Sequence, residues 1–201
     1  MAIALAGVYA AAGRRTLLVE CDLRRPAFAE RLGIPKTPGI SDHLAGRASE
    51  EAIIQDIVLP WAVAPAGPTN GTGPSSVGVT EQSSLVTLPC ITAGTTVPHS
   101  AELLTSDRFK ALLERLTIEY DVVILDSAPL LPVVDTLELV PLVDAILLCV
   151  RASRTTRDQA AAAKAALDHF PDRPIGLVTT GMRKGDAADY GYYSYDYSYD
   201  S

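Results

Sequence analysis

Three absences in the sequence bound the class of this 201-residue protein. No apolar run approaches the roughly 18 to 20 uninterrupted residues that a membrane-spanning helix needs. The formal net charge of -7 provides no broad basic field for phosphate backbones, which argues against nucleic-acid binding. The apolar first residues lack the positively charged start of a secretion signal. These absences predict a cytoplasmic protein with no membrane span of its own and no nucleic-acid partner.

Cysteine is also scarce, and its spacing does not match a metal site. The three cysteines are Cys21, Cys90 and Cys149, an odd number scattered over the chain. Two of them lie in apolar runs typical of strands. We therefore expect all three to be small buried apolar residues in a reducing compartment.

What the sequence does contain is an alternation of strand and helix patterns. With 48% hydrophobic residues, the chain is long enough for one globular domain. Alternating strands and helices predict an α/β domain with a mostly parallel sheet covered on both faces. The predicted strands are 15–21, 61–66, 84–91, 122–126, 145–150 and 175–181. The predicted helices are 1–12, a stretch from Pro26 to Gly33, 49–55, 100–119, 136–143 and 155–170, the last one capped by Thr155 and Asp158.

The domain boundaries follow from composition. Residues 1–185 are predicted to form the α/β domain, interrupted by a flexible Gly-, Pro-, Ser- and Thr-rich loop at about 66–83. Residues 186–201 form what we call the tail, which is predicted to be disordered. It contains six of the eight tyrosines of the chain, and they are Tyr190, Tyr192, Tyr193, Tyr195, Tyr197 and Tyr199. Such rings are either exposed substrates or part of a terminus without a role.

Carboxylates follow two of the predicted strands directly. Asp22 directly follows the first strand and is followed in turn by Arg24 and Arg25, and Asp126 ends the strand 122–126. Ligands of parallel sheets bind beyond the carboxyl ends of the strands, where a carboxylate commonly holds hydrated Mg²⁺. Two alternatives remain: Asp126 only caps the next turn, or the two arginines only form a solvated helix face.

These segments resemble a known family. LLVECDLRRP is similar to the second Walker motif, and VVILDSAPLLPVVD to the Walker B segment, of the bacterial tyrosine kinases that control capsule and exopolysaccharide synthesis. SAELLTSDRFKALLERLTIEYD and LVDAILLCVRASRTTRD resemble the stretches that accompany these motifs, and the tail completes the match. The resemblance implies a P-loop NTPase-like fold of the deviant Walker type, N-terminally truncated, in three layers.

The resemblance also implies roles for particular residues. Asp22, Glu20 and Asp126 would be catalytic, with Asp22 and Asp126 holding Mg²⁺ and Asp22 helping to activate a tyrosine hydroxyl. Arg24, Arg25 and Arg151 would contact ATP, and the six tail tyrosines would accept phosphate. Such kinases work with a transmembrane activator or chain-length regulator at the inner face of the cell membrane, and they self-associate to phosphorylate in trans.

Three departures from the family pattern keep other functions open. Glu20 stands where the family usually has Asp, no Asn lies near Thr179 and Thr180, and no G-x-x-x-x-G-K-[ST] segment occurs in the 201 residues. The last departure predicts that these residues alone are inactive. The alternatives are a catalytically dead scaffold that another kinase phosphorylates, and a partitioning-type ATPase of the same fold.

Overall fold

The fold was analysed in a computed structural model of the chain. The structure describes residues 1–63, 85–97, 100–132 and 135–182. It divides the chain into two compact units, Met1–Leu142 and Val143–Ser201, which we treat separately. The predicted loop at 66–83 and the tail lie outside the described residues, and the prediction of one α/β domain over 1–185 stays a prediction.

The first unit is built on a four-stranded sheet. Its strands are β1 (Thr16–Glu20), β2 (Ile54–Val63), β3 (Leu85–Ile91) and β4 (Val122–Asp126), in the spatial order β2-β3-β1-β4. Strand β1 pairs in parallel with both β3 and β4, while β2 is antiparallel to β3. The predicted α/β class with a mostly parallel sheet is therefore confirmed. The parallel pairs bring the carboxyl ends of β1, β3 and β4 to one edge.

Strand β1 is buried on both faces, which explains its nearly continuous apolar sequence. Leu17 and Val19 belong to one hydrophobic cluster together with residues of the later helices. Leu18 points to the opposite face and packs in a second cluster with residues of the first two helices. Because side chains alternate along a strand, Glu20 lies on the same face as Leu18.

The helices of the first unit cover both faces of the sheet. Gly33 ends the second helix in the left-handed conformation, with φ of 66°, as the Gly at the end of the predicted pattern indicated. Ser106 caps the sixth helix by accepting a hydrogen bond from the amide of Phe109. The helices are α1 (Ala2–Ala11), α2 (Phe28–Leu32), α3 (Ile40–Leu44), α4 (Glu50–Ile53), α5 (Ser100–Thr105), α6 (Asp107–Glu119) and α7 (Asp135–Leu139), followed by the 3₁₀ turn Val140–Leu142.

The second unit contains a parallel two-stranded sheet and one helix among its described residues. Strand β5 (Ile146–Arg151) pairs with β6 (Ile175–Thr180), and helix α8 (Arg157–Leu167) connects them. The predicted cap of this helix was wrong by one residue. Thr156, not Thr155, accepts the hydrogen bond from the amide of Gln159, and the Gln159 side chain accepts in return from the Thr156 amide.

Three further predictions need correction. The helix predicted at 49–55 covers only Glu50–Ile53, because the chain continues directly as β2, and β2 starts well before the predicted strand 61–66. The apolar pairing with β3 overrides the helical pattern at Ile54. Cys21 and Cys90 are buried as predicted, but Cys149 is exposed. It lies on a two-stranded sheet, which offers less cover than a central strand.

Candidate active site

The carboxylates predicted from the sequence meet at the carboxyl ends of β1 and β4. Glu20 and Asp126 are direct register partners of the parallel pair. Asp22 follows two residues after Glu20, beyond the end of β1. The backbone amide of Cys21, between them, donates to the carbonyl oxygen of Asp126 at 2.7 Å. The fold therefore places three acidic residues at one edge of the sheet.

Electrostatics confirm that these acids influence one another. Burial raises the pKa of Asp126, and the neighbouring negative charges of Glu20 and Asp22 raise it further. The charges of the Met1 amino group and of Arg31 act in the opposite direction. A carboxylate that is buried among other carboxylates favours either a proton or a bound cation.

Glu20 makes contacts that the sequence did not indicate. Its side chain is almost completely buried, with 2% exposure. One oxygen, Oε1, accepts hydrogen bonds from the backbone amides of Ala27 and Phe28, the latter at 2.8 Å. The other, Oε2, accepts from the amide of Ala93 at 3.0 Å. Its predicted catalytic role stays a prediction.

Asp22 organises the turn that carries the two arginines. Its Oδ1 accepts a hydrogen bond from the backbone amide of Arg25 at 3.0 Å, and Arg24 and Arg25 are both exposed. Arg151, the third predicted nucleotide contact, ends β5 in the second unit and is also exposed. Nucleotide binding by these arginines remains a prediction.

The residues present fit a magnesium ion that is shared with a substrate. Among the described residues, no group of three or more His, Cys, Asp or Glu side chains is arranged to hold a metal. Mg²⁺ in phosphate chemistry is commonly bound by one or two carboxylates together with substrate phosphates and water. Asp22 and Asp126 match this smaller requirement, and the pKa of Asp126 is raised chiefly by burial and also by the charges of Glu20 and Asp22, which a bound cation would offset.

Sequence reasoning missed a buried polar hub beside this edge. Asp42, in α3, is 5% exposed, and its Oδ2 accepts hydrogen bonds from the amides of Gly39 and Thr95, both at 3.0 Å. Arg47 donates to its Oδ1 at 3.0 Å. Gly94 lies against the hub with φ of 82°, and a Cβ there would come within 2.6 Å of Asp42 Oδ2. The signal in the sequence was the pair Gly39 and Gly94. The close contacts that a Cβ atom would make at these two positions are visible only in the folded structure.

A separate groove lies at the other end of the sheet. It encloses about 420 Å³ and is lined by residues that include Gly13, Arg14, Thr16, Pro89 and Tyr120. Gly13, Arg14 and Thr16 precede or begin β1, Tyr120 precedes β4, and Pro89 lies within β3. None of the predicted site residues lines the groove. The chemistry of the acidic edge is therefore a better guide to function than the volume of the groove.

One predicted feature cannot be located. The six tail tyrosines lie outside the described residues, so their role as phosphate acceptors is untested.

Every helix in the described part of the chain is too short or too polar to span a lipid bilayer.

Curated relatives of the chain are tyrosine kinases and a polysaccharide transport protein. It is 29% identical to the tyrosine-protein kinase YwqD of Bacillus subtilis over 94% of this chain and 69% of that protein. It is 28% identical to the tyrosine-protein kinase wzc of Salmonella typhi over 98% of this chain. It is 31% identical to the succinoglycan biosynthesis transport protein ExoP of Rhizobium meliloti over 75% of this chain. The chain spans only 24% of wzc and 16% of ExoP.

The solved structures with the same fold include tyrosine kinase domains. The VpsO kinase domain is 28% identical, with a TM-score of 0.71 over 90% of this chain and 77% of that domain. The kinase domain of the Escherichia coli tyrosine kinase ETK is 25% identical, with a TM-score of 0.73 over 98% of this chain and 66% of that domain. No family model matches the chain. The chain is thus a homologue of the bacterial tyrosine kinases, and its P-loop NTPase-like α/β fold is the fold of their kinase domains.

Proposed function

We propose that this chain is the phosphotransfer domain of a bacterial protein-tyrosine autokinase that regulates exopolysaccharide or capsule synthesis and export. The observation that carries the proposal is the meeting of Asp22 and Asp126 at the carboxyl edge of β1 and β4, in a homologue of tyrosine kinases. ExoP, a relative named for succinoglycan biosynthesis and transport, supports the polysaccharide context.

In this proposal the two aspartates have different tasks. Asp126 and Asp22 hold Mg²⁺, partly through water, and Asp22 accepts the proton of the attacking tyrosine. A tyrosine hydroxyl has a pKa near about 10 and is a poor nucleophile at neutral pH, so a nearby carboxylate is needed. When bound, ATP and Mg²⁺ supply the phosphoryl group and neutralise its charge. Arg24 and Arg25 provide positive charge for the nucleotide phosphates.

The tail is the proposed phosphate acceptor. Each added phosphate contributes about -1.5 to -2 charges, so several phosphates in the tail would repel one another and the acidic edge. Successive phosphorylation would thereby release the tail from a neighbouring subunit. We further propose that the protein acts in the cytoplasm, at the inner face of the membrane, through a transmembrane activator.

Nucleotide binding by the 201 residues alone is proposed to be weak, because they contain no G-x-x-x-x-G-K-[ST] segment. Each charge-assisted bond that such a loop supplies contributes roughly 1.5 to 3 kcal/mol. Losing three or four of them removes several orders of magnitude in ATP affinity. Calorimetry on the 201-residue polypeptide should therefore detect no micromolar binding of ATP·Mg²⁺.

The activity itself is tested by supplying the missing loop. In a fusion in which the strand and G-x-x-x-x-G-K-[ST] loop of a curated relative precede residue 1, Asp22→Ala and Asp126→Ala should each reduce tyrosine phosphorylation. We expect a loss of at least about a hundredfold, the lower end of what a positioned acid or base contributes. Incorporation of labelled phosphate from ATP measures the effect.

A matched control is Asp107→Ala on α6, because Asp107 has a fully exposed side chain away from the site. It should keep full activity, and circular dichroism should show all three variants folded. Near-full activity of either site variant would refute the role given to that residue. An inactive parent fusion whose tail is phosphorylated only when an active kinase is added would favour the scaffold alternative.

A further inference from the structure

We infer that Glu20 is a positioning residue. Its carboxylate holds residues 21–27, which we call the Asp22 turn, at the carboxyl edge of the sheet, and it takes no part in metal binding or proton transfer. The importance of the Asp22 turn rests on the proposed function, whereas the role of Glu20 in shaping it rests on contacts alone. Glu20 was predicted to be catalytic only because it stands within the acidic motif.

Both carboxylate oxygens of Glu20 are engaged by backbone groups. Oε1 accepts from Ala27 and Phe28, and Oε2 accepts from Ala93 on the loop that follows β3. The side chain is 2% exposed, so water has little access to it. A charged acceptor that is buried with three amide donors is stabilised in place and is poorly available to a substrate.

These bonds close the segment that contains Asp22. The chain leaves the sheet at Glu20 and begins α2 at Phe28, so the contact of Glu20 with Ala27 and Phe28 ties the two ends of the turn together. Within that closed loop, Asp22 Oδ1 accepts the amide of Arg25. Fixing the ends restricts the backbone that carries Asp22, which sets where its carboxylate lies beside Asp126.

The length of the side chain is part of this function. Glu20 bridges two separate parts of the chain, the start of α2 and the loop at Ala93. Aspartate is shorter by one methylene, so at the same backbone position it cannot reach both partners together. Glu20→Asp should therefore keep one of the two connections and lose the other.

Amide hydrogen exchange of the 201-residue chain, followed by NMR without nucleotide, tests the inference. Glu20→Gln keeps one carbonyl oxygen and replaces the other oxygen with a donor. We expect the new side-chain amide to turn its oxygen toward Ala27 and Phe28, because this orientation keeps two of the three hydrogen bonds. The bond from the Ala93 amide is then lost, so only that amide should exchange faster, by roughly tenfold or more. Glu20→Ala should release all three amides.

The readout specific to positioning is the amide of Arg25, which Glu20 does not touch. We expect its chemical shift and exchange rate to change in Glu20→Ala and to be largely rescued in Glu20→Gln, while the amides of β1 stay protected. Glu30→Gln, an exposed glutamate of α2, is the matched control and should change none of these signals. If Arg25 is unaffected in both Glu20 variants, or if Ala93 keeps its protection in Glu20→Gln, the inference is wrong. Neither result depends on kinase activity, so the proposed function is tested separately.

Discussion

At the residue scale, the acids near the sheet edge differ in burial and in how many backbone amides they bind: Glu20 and Asp42 are buried and each accepts at least two, whereas Asp22 and Asp126 are only partly buried. Asp22 and Asp126 were visible in the sequence because each follows an apolar strand. Asp42 was not, since it stands in a short polar stretch without periodicity. Residue type alone cannot show this difference, because one of the partners of Asp42, Thr95, lies 53 positions away along the chain.

Asp42 gives the clearest pH-dependent prediction. Burial by itself would raise its pKa, but the hydrogen bonds from Thr95, Gly39 and Arg47 outweigh burial and lower the pKa to about 2. Relative to an unfolded value of 3.8, the ionised form contributes about 2 kcal/mol of stability. Since the folded pKa is the lower one, this contribution is present above pH 3.8 and is lost as the pH falls through about 2.

Urea unfolding of Asp42→Asn at pH 7 and near pH 2 measures this effect. The variant should be destabilised by about 2 kcal/mol or more at pH 7. The NH2 group of its side-chain amide is a donor, and it would face N–H groups that donate to the carboxylate in the parent protein. The difference from the parent protein should shrink at the lower pH. Asp107→Asn, at an exposed position, is the control and should show no difference. An equal loss at both values would mean that the charge of Asp42 does not contribute.

At the scale of elements, the sequence predicted a buried strand and one helix cap, but it did not predict the cap of another helix. Strand β1, buried on both faces, and helix α6, with its Ser106 cap, follow directly from apolar runs and capping residues. The N-cap of α8 did not follow from the sequence, because either of two adjacent threonines can serve as a cap. The structure chooses Thr156, since the hydroxyl of Thr155 accepts a hydrogen bond from the amide of Arg151 instead.

This difference predicts unequal effects of two neighbouring substitutions. Thr156→Ala should destabilise the start of α8 by about 1 kcal/mol, the usual contribution of an N-cap hydroxyl. Thr155→Ala should leave the helix start intact. Exchange of the Gln159 amide, which donates to Thr156 in the parent protein, distinguishes the two. Faster exchange of Gln159 in Thr155→Ala but not in Thr156→Ala would reverse the assignment.

At the scale of the whole molecule, the proposed function requires a tyrosine to reach the acidic edge. Strand β6 ends at Thr180, and the first tail tyrosine is Tyr190. The sequence predicts a flexible segment here, and ten flexible residues would span roughly 16 to 20 Å on average, a reach that we take to favour transfer to a neighbouring subunit. Tyr9 and Tyr120 are poor acceptors, because the first lies within α1 and the second directly follows α6.

We therefore predict phosphorylation in trans on several tail tyrosines. A loop-supplied, tail-deleted protein would be mixed with a loop-supplied Asp126→Ala partner that keeps its tail, and mass spectrometry would locate the phosphate. Omitting the first protein is the control and should leave the tail unmodified. Phosphate on Tyr9 or Tyr120 with an unmodified tail would exclude the tail as the substrate.

The sequence by itself determined the α/β class, the central strand and the two aspartates at strand ends, because apolar runs and their boundaries are local signals. Only the tertiary structure decided what Glu20 and Asp42 bind. Their distant partners, Ala93 and Thr95, lie in the loop after β3, and parallel pairing of β1 with β3 brings that loop to the acidic edge. Backbone amides look alike in every sequence, so an acid that binds them is recognised only when the strands that carry them have been placed side by side.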